Sequence, residues 1–131
     1  MRKNDTFAYD LMVNYVYERK LSKVLDSATI EVKRDYGYIR TGNVFVEYKI
    51  KDKLTGLSTS KALYYCFFLS DTVFIFIETK ELKDLCRKYL GTKRDVRGGD
   101  NNASRGVLLP LSELFLKKIP KNFLFTNYYV I

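Results

Sequence analysis

The feature that most constrains this chain is the alternation of apolar and polar side chains between residues 28 and 51. Apolar side chains occupy even-numbered positions in this segment: Ile30, Val32, Tyr36, Tyr38, Val44, Val46, Tyr48 and Ile50. A period of two is typical of strands that bury one face of a sheet. The segment therefore predicts a β-hairpin with one apolar face. Its turn is expected at residues 40–42, where Gly42 can adopt the left-handed conformation that such loops need.

A turn at residues 40–42 makes residues whose numbers sum to 82 cross-strand neighbours. On the polar face this predicts that Asp35 lies opposite Glu47 and that Lys33 lies opposite Lys49. Paired carboxylates suit a hard cation such as Mg²⁺, which activates water and contacts phosphate oxygens, and a nearby lysine offsets phosphate charge. The polar side of any amphipathic hairpin also carries alternating charges, so spacing alone leaves a purely structural interpretation open.

The remainder of the chain predicts an α/β protein with a central mixed β-sheet flanked by helices, in one domain spanning residues 1–131. The expected elements are a helix over 6–25, buried strands over 62–69 and 72–77, a helix over 78–90, a long surface loop over 91–106, a strand over 107–109, a helix over 111–118 and a strand-like tail over 122–131.

Composition narrows the possible chemistry. The formal net charge of +8, from 23 Lys+Arg and 15 Asp+Glu, favours an anionic partner such as nucleic acid or an acidic membrane surface. The absence of His excludes Ser-His and Cys-His catalysis. Cys66 and Cys86 lie among apolar neighbours, which predicts reduced core thiols. With no long apolar run and no leader-like start, we expect a cytoplasmic protein. An enzyme of this composition would have to use carboxylates and lysines.

Several motifs resemble a known group of nucleases. Asp35, followed after eleven residues by Glu47-Tyr48-Lys49, resembles the Asp and Glu-x-Lys signature of the PD-(D/E)xK nuclease superfamily, although no Pro precedes Asp35. Segments 30–35, 41–47, 55–62 and 97–100 resemble small phage Holliday-junction resolvases, and the first two are the specific ones. The resemblance covers roughly residues 7–116. It departs at Leu63, where related chains often carry Asp.

The resemblance implies a restriction-endonuclease-like core and a Mg²⁺-dependent (or Mn²⁺-dependent) endodeoxyribonuclease that cuts branched DNA during recombination, in the host cytoplasm if phage-encoded. It implies a homodimer, since resolving a four-way junction requires two matched cuts, with the tail over 123–131 as a candidate seam. The implied metal ligands are Glu18 on the first helix, Asp35 and Glu47. The implied catalytic residues are Asp35, Glu47 and Lys49, and the predicted hairpin register adds Lys33, opposite Lys49, as a second cation at the same site.

Some alternatives stay open at this point. Glu31-Val32-Lys33 is a second Glu-x-Lys triplet, but its nearby upstream acid, Asp26, lies too close for a facing strand pair. Candidate phosphate-binding residues are basic side chains that can equally be solvated surface charges: Lys61, Lys93, Arg94, Arg97 and Arg105. The competing functions are a restriction- or repair-type nuclease on linear duplex DNA and a non-catalytic nucleic-acid-binding module. Two acids at the centre of the motif argue against the binding module, because they repel phosphate.

Overall fold

The computed structural model of the chain describes residues 2–116. The helices are α1 (Arg2–Ser27), α2 (Tyr38–Thr41), α3 (Thr79–Arg87) and α4 (Leu111–Leu116). The strands are β1 (Ile30–Arg34), β2 (Asn43–Ile50), β3 (Lys53–Leu54), β4 (Tyr64–Phe68), β5 (Phe74–Glu78), β6 (Asp95–Gly98) and β7 (Ser104–Pro110). The predicted tail strand over 122–131, the seam over 123–131 and the end of the last predicted helix lie outside the described residues.

The strands form two sheets. In the three-stranded sheet the order is β1-β4-β5, with β1 parallel and β5 antiparallel to β4. In the four-stranded sheet the order is β3-β2-β7-β6, and every pair is antiparallel. The predicted α/β class is confirmed. The prediction of one central mixed sheet is wrong, because the mixed pairing is confined to the three-stranded sheet and β2 belongs to the other one.

One hydrophobic core joins the two sheets to α3. Its buried members are Val44, Val46, Leu57, Tyr65, Phe67, Leu69, Leu82, Leu85, Cys86, Val107 and Leu109. Fully burying a large apolar side chain is worth about 1.5–3 kcal/mol, so this cluster is what holds the two sheets together. The predicted strands over 62–69 and 72–77 and the helix over 78–90 are confirmed as β4, β5 and α3.

The predicted hairpin over 28–51 is wrong. β1 pairs in parallel with β4, from Ile30 opposite Tyr64 to Arg34 opposite Phe68. α2 separates β1 from β2, and Gly42 ends this helical turn with a left-handed φ of 73°. The glycine thus adopts the expected conformation but caps a helix. Alternation in the sequence specifies which face of a strand is apolar but not which strand it pairs with. In the fold, β1 pairs with the apolar strand β4 and not with β2.

The predicted surface loop over 91–106 is also wrong. It contains β6, a 3₁₀ turn at Asp100–Asn102 and the first residues of β7. β6 is an edge strand with only one apolar side chain, Val96, so it has no hydrophobic period to detect. Pairing with β7 holds it in place. The predicted strand over 107–109 is confirmed as the middle of β7, and α4 confirms a helix beginning at residue 111.

Two glycines make room for the ring of Phe45 on β2. A Cβ at Gly106 would lie 2.6 Å from Phe45 Cζ, and one at Gly98 would lie 2.9 Å from the same atom. Both distances are too short for real side-chain contacts. The ring therefore lies over the backbone of β6 and β7, and this packing fixes the part of β2 that leads into Glu47.

The predicted helix over 6–25 is confirmed as α1, but its apolar side chains do not enter the core. Nine large apolar residues on it are exposed: Phe7, Tyr9, Leu11, Met12, Tyr15, Val16, Tyr17, Leu21 and Leu25. Within residues 2–116, no helix is long and apolar enough to span a bilayer.

Candidate active site

The open edge of β2 meets the end of β1. One edge of β2 pairs with β7, and on the other edge only its last two residues pair, with β3. Asp35, directly after β1, occupies this opening. Its Oδ2 accepts a hydrogen bond of 2.8 Å from the backbone N–H of Phe45, and its Oδ1 accepts one of 3.1 Å from the N–H of Gly37. Asp35 therefore connects the two sheets.

Glu47 lies two residues beyond Phe45 on the same strand and is also held by neutral donors. Its Oε1 accepts a hydrogen bond of 2.8 Å from Ser104 Oγ on β7, and its Oε2 accepts one of 3.0 Å from Thr55 Oγ1. Sequence reasoning did not identify either hydroxyl residue as part of the site. Thr55 begins one of the segments that carry the family resemblance, but nothing in the sequence links it or Ser104 to Glu47.

Lys33 and Glu47 line the same pocket. This cavity of about 190 Å³ lies where the two sheets meet and is lined by Lys33, Phe45, Val46, Glu47, Gly56, Tyr65 and Phe67. Lys33 Nζ lies 2.9 Å from Glu31 Oε1, and both side chains are roughly half exposed. Lys33 thus shares a pocket with Glu47, whereas Asp35 is hydrogen-bonded to Phe45.

These associations correct the predicted register. The residue numbers of the two pairs, Asp35 with Phe45 and Lys33 with Glu47, sum to 80 and not to the predicted 82. Each pair has one residue from the β1 side and one on β2, so the two residues come from different sheets and not from one hairpin. Asp35 is not the cross-strand partner of Glu47, and Lys33 is not the partner of Lys49. The acids and the lysine of β1 still converge on one region, because the open edge of β2 accepts the end of β1 alongside it.

A bulge in β2 separates Glu47 from Lys49. Glu47 is opposite Gly106 and Lys49 is opposite Arg105, so two steps along β2 match one step along β7. A bulge interrupts the regular alternation of side chains. The assumption that Glu47 and Lys49 share a face by simple period-two alternation therefore does not hold, and Lys33 is the lysine that lines a pocket with Glu47.

Glu18 does not join the two other acids. It lies exposed on α1, and residues 2–116 contain no group of three or more His, Cys, Asp or Glu arranged to hold a metal ion. Asp35 and Glu47 nevertheless form a suitable pair of ligands. Their recorded partners are amide and hydroxyl donors, which leave the negative charge and further lone pairs of each carboxylate available. Mg²⁺ commonly binds through one or two carboxylates and keeps several waters, so the residues present fit that ion.

The five candidate phosphate-binding residues fall into two groups. Lys61, Lys93 and Arg97 are exposed. Arg94 is half-buried, and its Nη1 donates to Asn43 Oδ1 at 2.8 Å and to the carbonyl oxygen of Leu108 at 3.1 Å. Its guanidinium also lies over the ring of Tyr89. Arg94 thus helps to hold the four-stranded sheet together.

Arg105, the last of the five, pairs with an acid that sequence reasoning overlooked. Its Nε lies 3.3 Å from Asp95 Oδ1, and Tyr48 O–H donates to the same oxygen at 2.8 Å. Burial alone would raise the pKa of Asp95, but hydrogen bonds from the Gly91 N–H and from Tyr48, together with the charge of Arg105, hold that pKa below its ordinary value. Asp95 lay in a segment predicted as loop, so no pattern marked it.

The two cysteines are free and buried, as predicted. Burial raises the pKa of the Cys66 thiol, and it raises the pKa of Cys86 to about 12. Thiols with raised pKa values are poor nucleophiles at neutral pH. The candidate chemistry therefore rests on the carboxylates and Lys33.

Comparison of the chain with known protein families, with curated proteins and with solved structures finds no match.

Proposed function

We propose that this protein is a divalent-metal-dependent DNA endonuclease whose active site lies between the end of β1 and the open edge of β2. The observation that carries the proposal is the convergence of Asp35 and Lys33 from one sheet with Glu47 from the other. The resemblance to the PD-(D/E)xK superfamily supports it in part, because Asp35 and Glu47 are the two acids of its signature, whereas the lysine of that signature is Lys49 and not Lys33. A restriction-endonuclease-like core is part of the proposal, with the sheet divided in two as a departure from the expected arrangement.

In this proposal the carboxylates of Asp35 and Glu47 hold Mg²⁺ or Mn²⁺. The bound cation supplies Lewis-acid polarisation of the phosphate and an activated water. The protein contributes the orientation of the two acids: the Phe45 and Gly37 amides hold Asp35, and hydroxyl groups hold Glu47. Because these donors are neutral, they align the acids without cancelling the charge that attracts a cation.

Lys33 is the catalytic lysine in this mechanism, and Lys49 is not. Lys33 lines the same pocket as Glu47, and its ion pair with Glu31 is roughly half exposed. Such a surface pair is worth about 0–1 kcal/mol. Lys33 can therefore exchange Glu31 for a phosphate oxygen when substrate enters, and there it offsets the charge that develops during attack on phosphorus.

The proposed substrate is branched DNA, held outside the pocket by the exposed cations Lys61, Lys93 and Arg97. The net charge of +8 favours such a polyanion. Arg94 and Arg105 are less suited to this role, since both already bind groups of the protein itself.

A homodimer formed through α1 is part of the proposal. Exposed apolar side chains run from Phe7 to Leu25, a length of about 27 Å on a helix, and an apolar surface of this extent marks an interaction site. Resolution of a four-way junction by two matched cuts also requires a second copy of the active site, which such a homodimer supplies.

The nuclease proposal is tested by incubating the purified protein with a labelled four-way junction and with a linear duplex of the same arm sequence, in Mg²⁺ and in chelator. Faster cleavage of the junction supports a resolvase. Equal cleavage of both substrates supports a restriction- or repair-type nuclease. Failure to cut either substrate in Mg²⁺ or Mn²⁺, with tight DNA binding retained, supports a binding module and rejects the nuclease proposal.

The dimer is tested separately by light scattering coupled to size-exclusion chromatography. Leu11→Glu with Tyr15→Glu places two acids on the exposed face of α1 and should convert a dimer to a monomer. Lys93→Glu, at an exposed position away from α1, is the control and should leave the mass unchanged. A wild-type protein of about 15.4 kDa in solution rejects the dimer.

A further inference from the structure

Each oxygen of the Glu47 carboxylate has its own hydroxyl donor. Thr55 Oγ1 binds Oε2 at 3.0 Å, and Ser104 Oγ binds Oε1 at 2.8 Å. The two donors come from opposite sides, since Thr55 precedes a 3₁₀ turn on the open edge of β2, whereas Ser104 begins β7 on its paired edge. The carboxylate is thus clamped at both oxygens and cannot rotate without losing a hydrogen bond.

Two glycines set the positions of these hydroxyl groups. Gly56 follows Thr55 with a φ of +51°, and a Cβ there would lie 2.3 Å from the carbonyl oxygen of Glu47. Gly99 has a φ of +69°, and a Cβ there would lie 2.8 Å from Ser104 Oγ. Only glycine combines such a φ with such close approach. The backbone around each hydroxyl group is therefore packed tightly against Glu47 or against Ser104 itself.

We infer that Thr55 and Ser104 are positioning residues that hold the Glu47 carboxylate in the orientation in which it binds the divalent cation. This inference rests on the proposed metal-dependent nuclease. Neutral hydroxyl donors suit the task, because a lysine or arginine in their place would neutralise the charge that the cation needs. Partners that orient a metal-binding carboxylate typically contribute 10–100-fold in metal affinity.

The competing explanation is that the two hydrogen bonds only stabilise the fold, by fastening the 3₁₀ turn and β7 to β2. Ser58 provides a matched control for it. Ser58 Oγ, in the same turn, donates its hydrogen bond to the carbonyl oxygen of Tyr48 at 2.9 Å and not to the Glu47 carboxylate. Loss of this hydrogen bond loosens the turn in a similar way but leaves the carboxylate clamped.

The test is a titration of the full-length protein with Mn²⁺, followed by electron paramagnetic resonance, with a thermal melt of each metal-free variant. Thr55→Val and Ser104→Ala should each weaken Mn²⁺ binding by about 10–100-fold. Thr55→Ser keeps the hydroxyl group and should remain within about threefold of wild type, by the same reasoning. Ser58→Ala should lower the melting temperature but leave Mn²⁺ affinity unchanged.

The activity assay gives a second readout. If the clamp serves metal binding, cleavage by Thr55→Val should recover as Mn²⁺ is raised, whereas cleavage by Glu47→Gln should not. Wild-type affinity in both Thr55→Val and Ser104→Ala overturns the inference and leaves the nuclease proposal standing, as does an equal loss of affinity in Ser58→Ala. Absence of Mn²⁺ binding that depends on Glu47 in the wild type overturns the proposed function and this inference together.

Discussion

The carboxylate of Asp35 accepts a 2.8 Å hydrogen bond from the backbone amide of Phe45, and this contact joins the end of β1 to the open edge of β2 across two separate sheets. Asp35 therefore has two roles in the proposed enzyme. It satisfies a backbone N–H that lacks a strand partner, and it presents a carboxylate beside the pocket of Glu47 and Lys33. Activity and stability have to be measured together for every change at this position.

The first prediction concerns the two acids. Asp35→Asn and Glu47→Gln should each reduce cleavage by more than a hundredfold, because loss of a metal ligand removes several kcal/mol of transition-state stabilisation. DNA binding, measured by fluorescence anisotropy, should persist, since negative charge near phosphate is removed. Asp52→Asn, at an exposed turn after β2, is the control and should cut normally. Cleavage by either variant within about tenfold of wild type rejects the assignment.

The second prediction separates the two lysines. Lys33→Ala should lower the single-turnover cleavage rate about 100-fold, as expected when a donor to a developing negative charge is removed. Lys49→Ala should lower it less than about tenfold, since a bulge in β2 separates Lys49 from Glu47. The opposite order of effects would return the catalytic role to the lysine of the Glu-x-Lys motif.

The third prediction concerns the ring of Phe45. Gly106→Ala places a Cβ 2.6 Å from Phe45 Cζ and should reduce the free energy of unfolding in urea by about 1–3 kcal/mol, the usual cost of overpacking. Combining Gly106→Ala with Phe45→Leu removes the clash with the ring but keeps the 2.7 Å approach of the new Cβ to the Val46 carbonyl oxygen, so the double variant should cost less than the sum of the two single changes. Strict additivity in this double-mutant cycle would mean that the ring does not lie over Gly106.

The fourth prediction is a pH dependence. The pKa of Asp95 is held below its ordinary value in the folded protein, so the carboxylate stabilises the fold above the unfolded-state pKa of about 3.9. That stabilisation is lost as pH falls below this value and through the folded-state pKa. The difference in unfolding free energy between wild type and Asp95→Asn should therefore be larger at neutral pH than at pH 3. A difference that is as large at pH 3 as at neutral pH would contradict this prediction.

The fifth prediction separates phosphate binding from structural support. Arg97→Ala should weaken DNA binding and reduce the slope of log binding constant against log salt concentration by about one. Because Arg97 is exposed, the melting temperature should not change. Arg94→Ala should lower the free energy of unfolding by about 1–3 kcal/mol, because Asn43 Oδ1 and the Leu108 carbonyl lose their donor. An Arg94→Ala protein of unchanged stability but weak DNA binding would assign Arg94 to the DNA surface.

Local periodicity was sufficient to predict α1, β4, β5 and α3. Each is a continuous run with a clear hydrophobic period, and such a run forms its element whatever it later packs against. β6 was not predicted, because it has no hydrophobic period. Its only apolar side chain is Val96, and it is a strand because β7 provides a partner for its backbone.

Among site residues, the sequence determined which side chains have the right chemistry, and the tertiary structure decided which of them meet. Asp35, Glu47 and Lys49 were predicted as site residues from residue type and resemblance, with Lys33 as a second cation. Their register was predicted wrongly, because period-two alternation specifies the face of a strand but is silent about its partner.

The partners of Glu47 illustrate the same limit. Thr55 and Ser104 lie 8 and 57 residues away along the chain. Only the pairing of β2 with β7 and the close approach of Gly56 to Glu47 bring their hydroxyl groups to the carboxylate. A hydrogen bond between residues so far apart depends on the packing of whole strands, and that packing is decided by the free energy of the complete fold and not by any local segment.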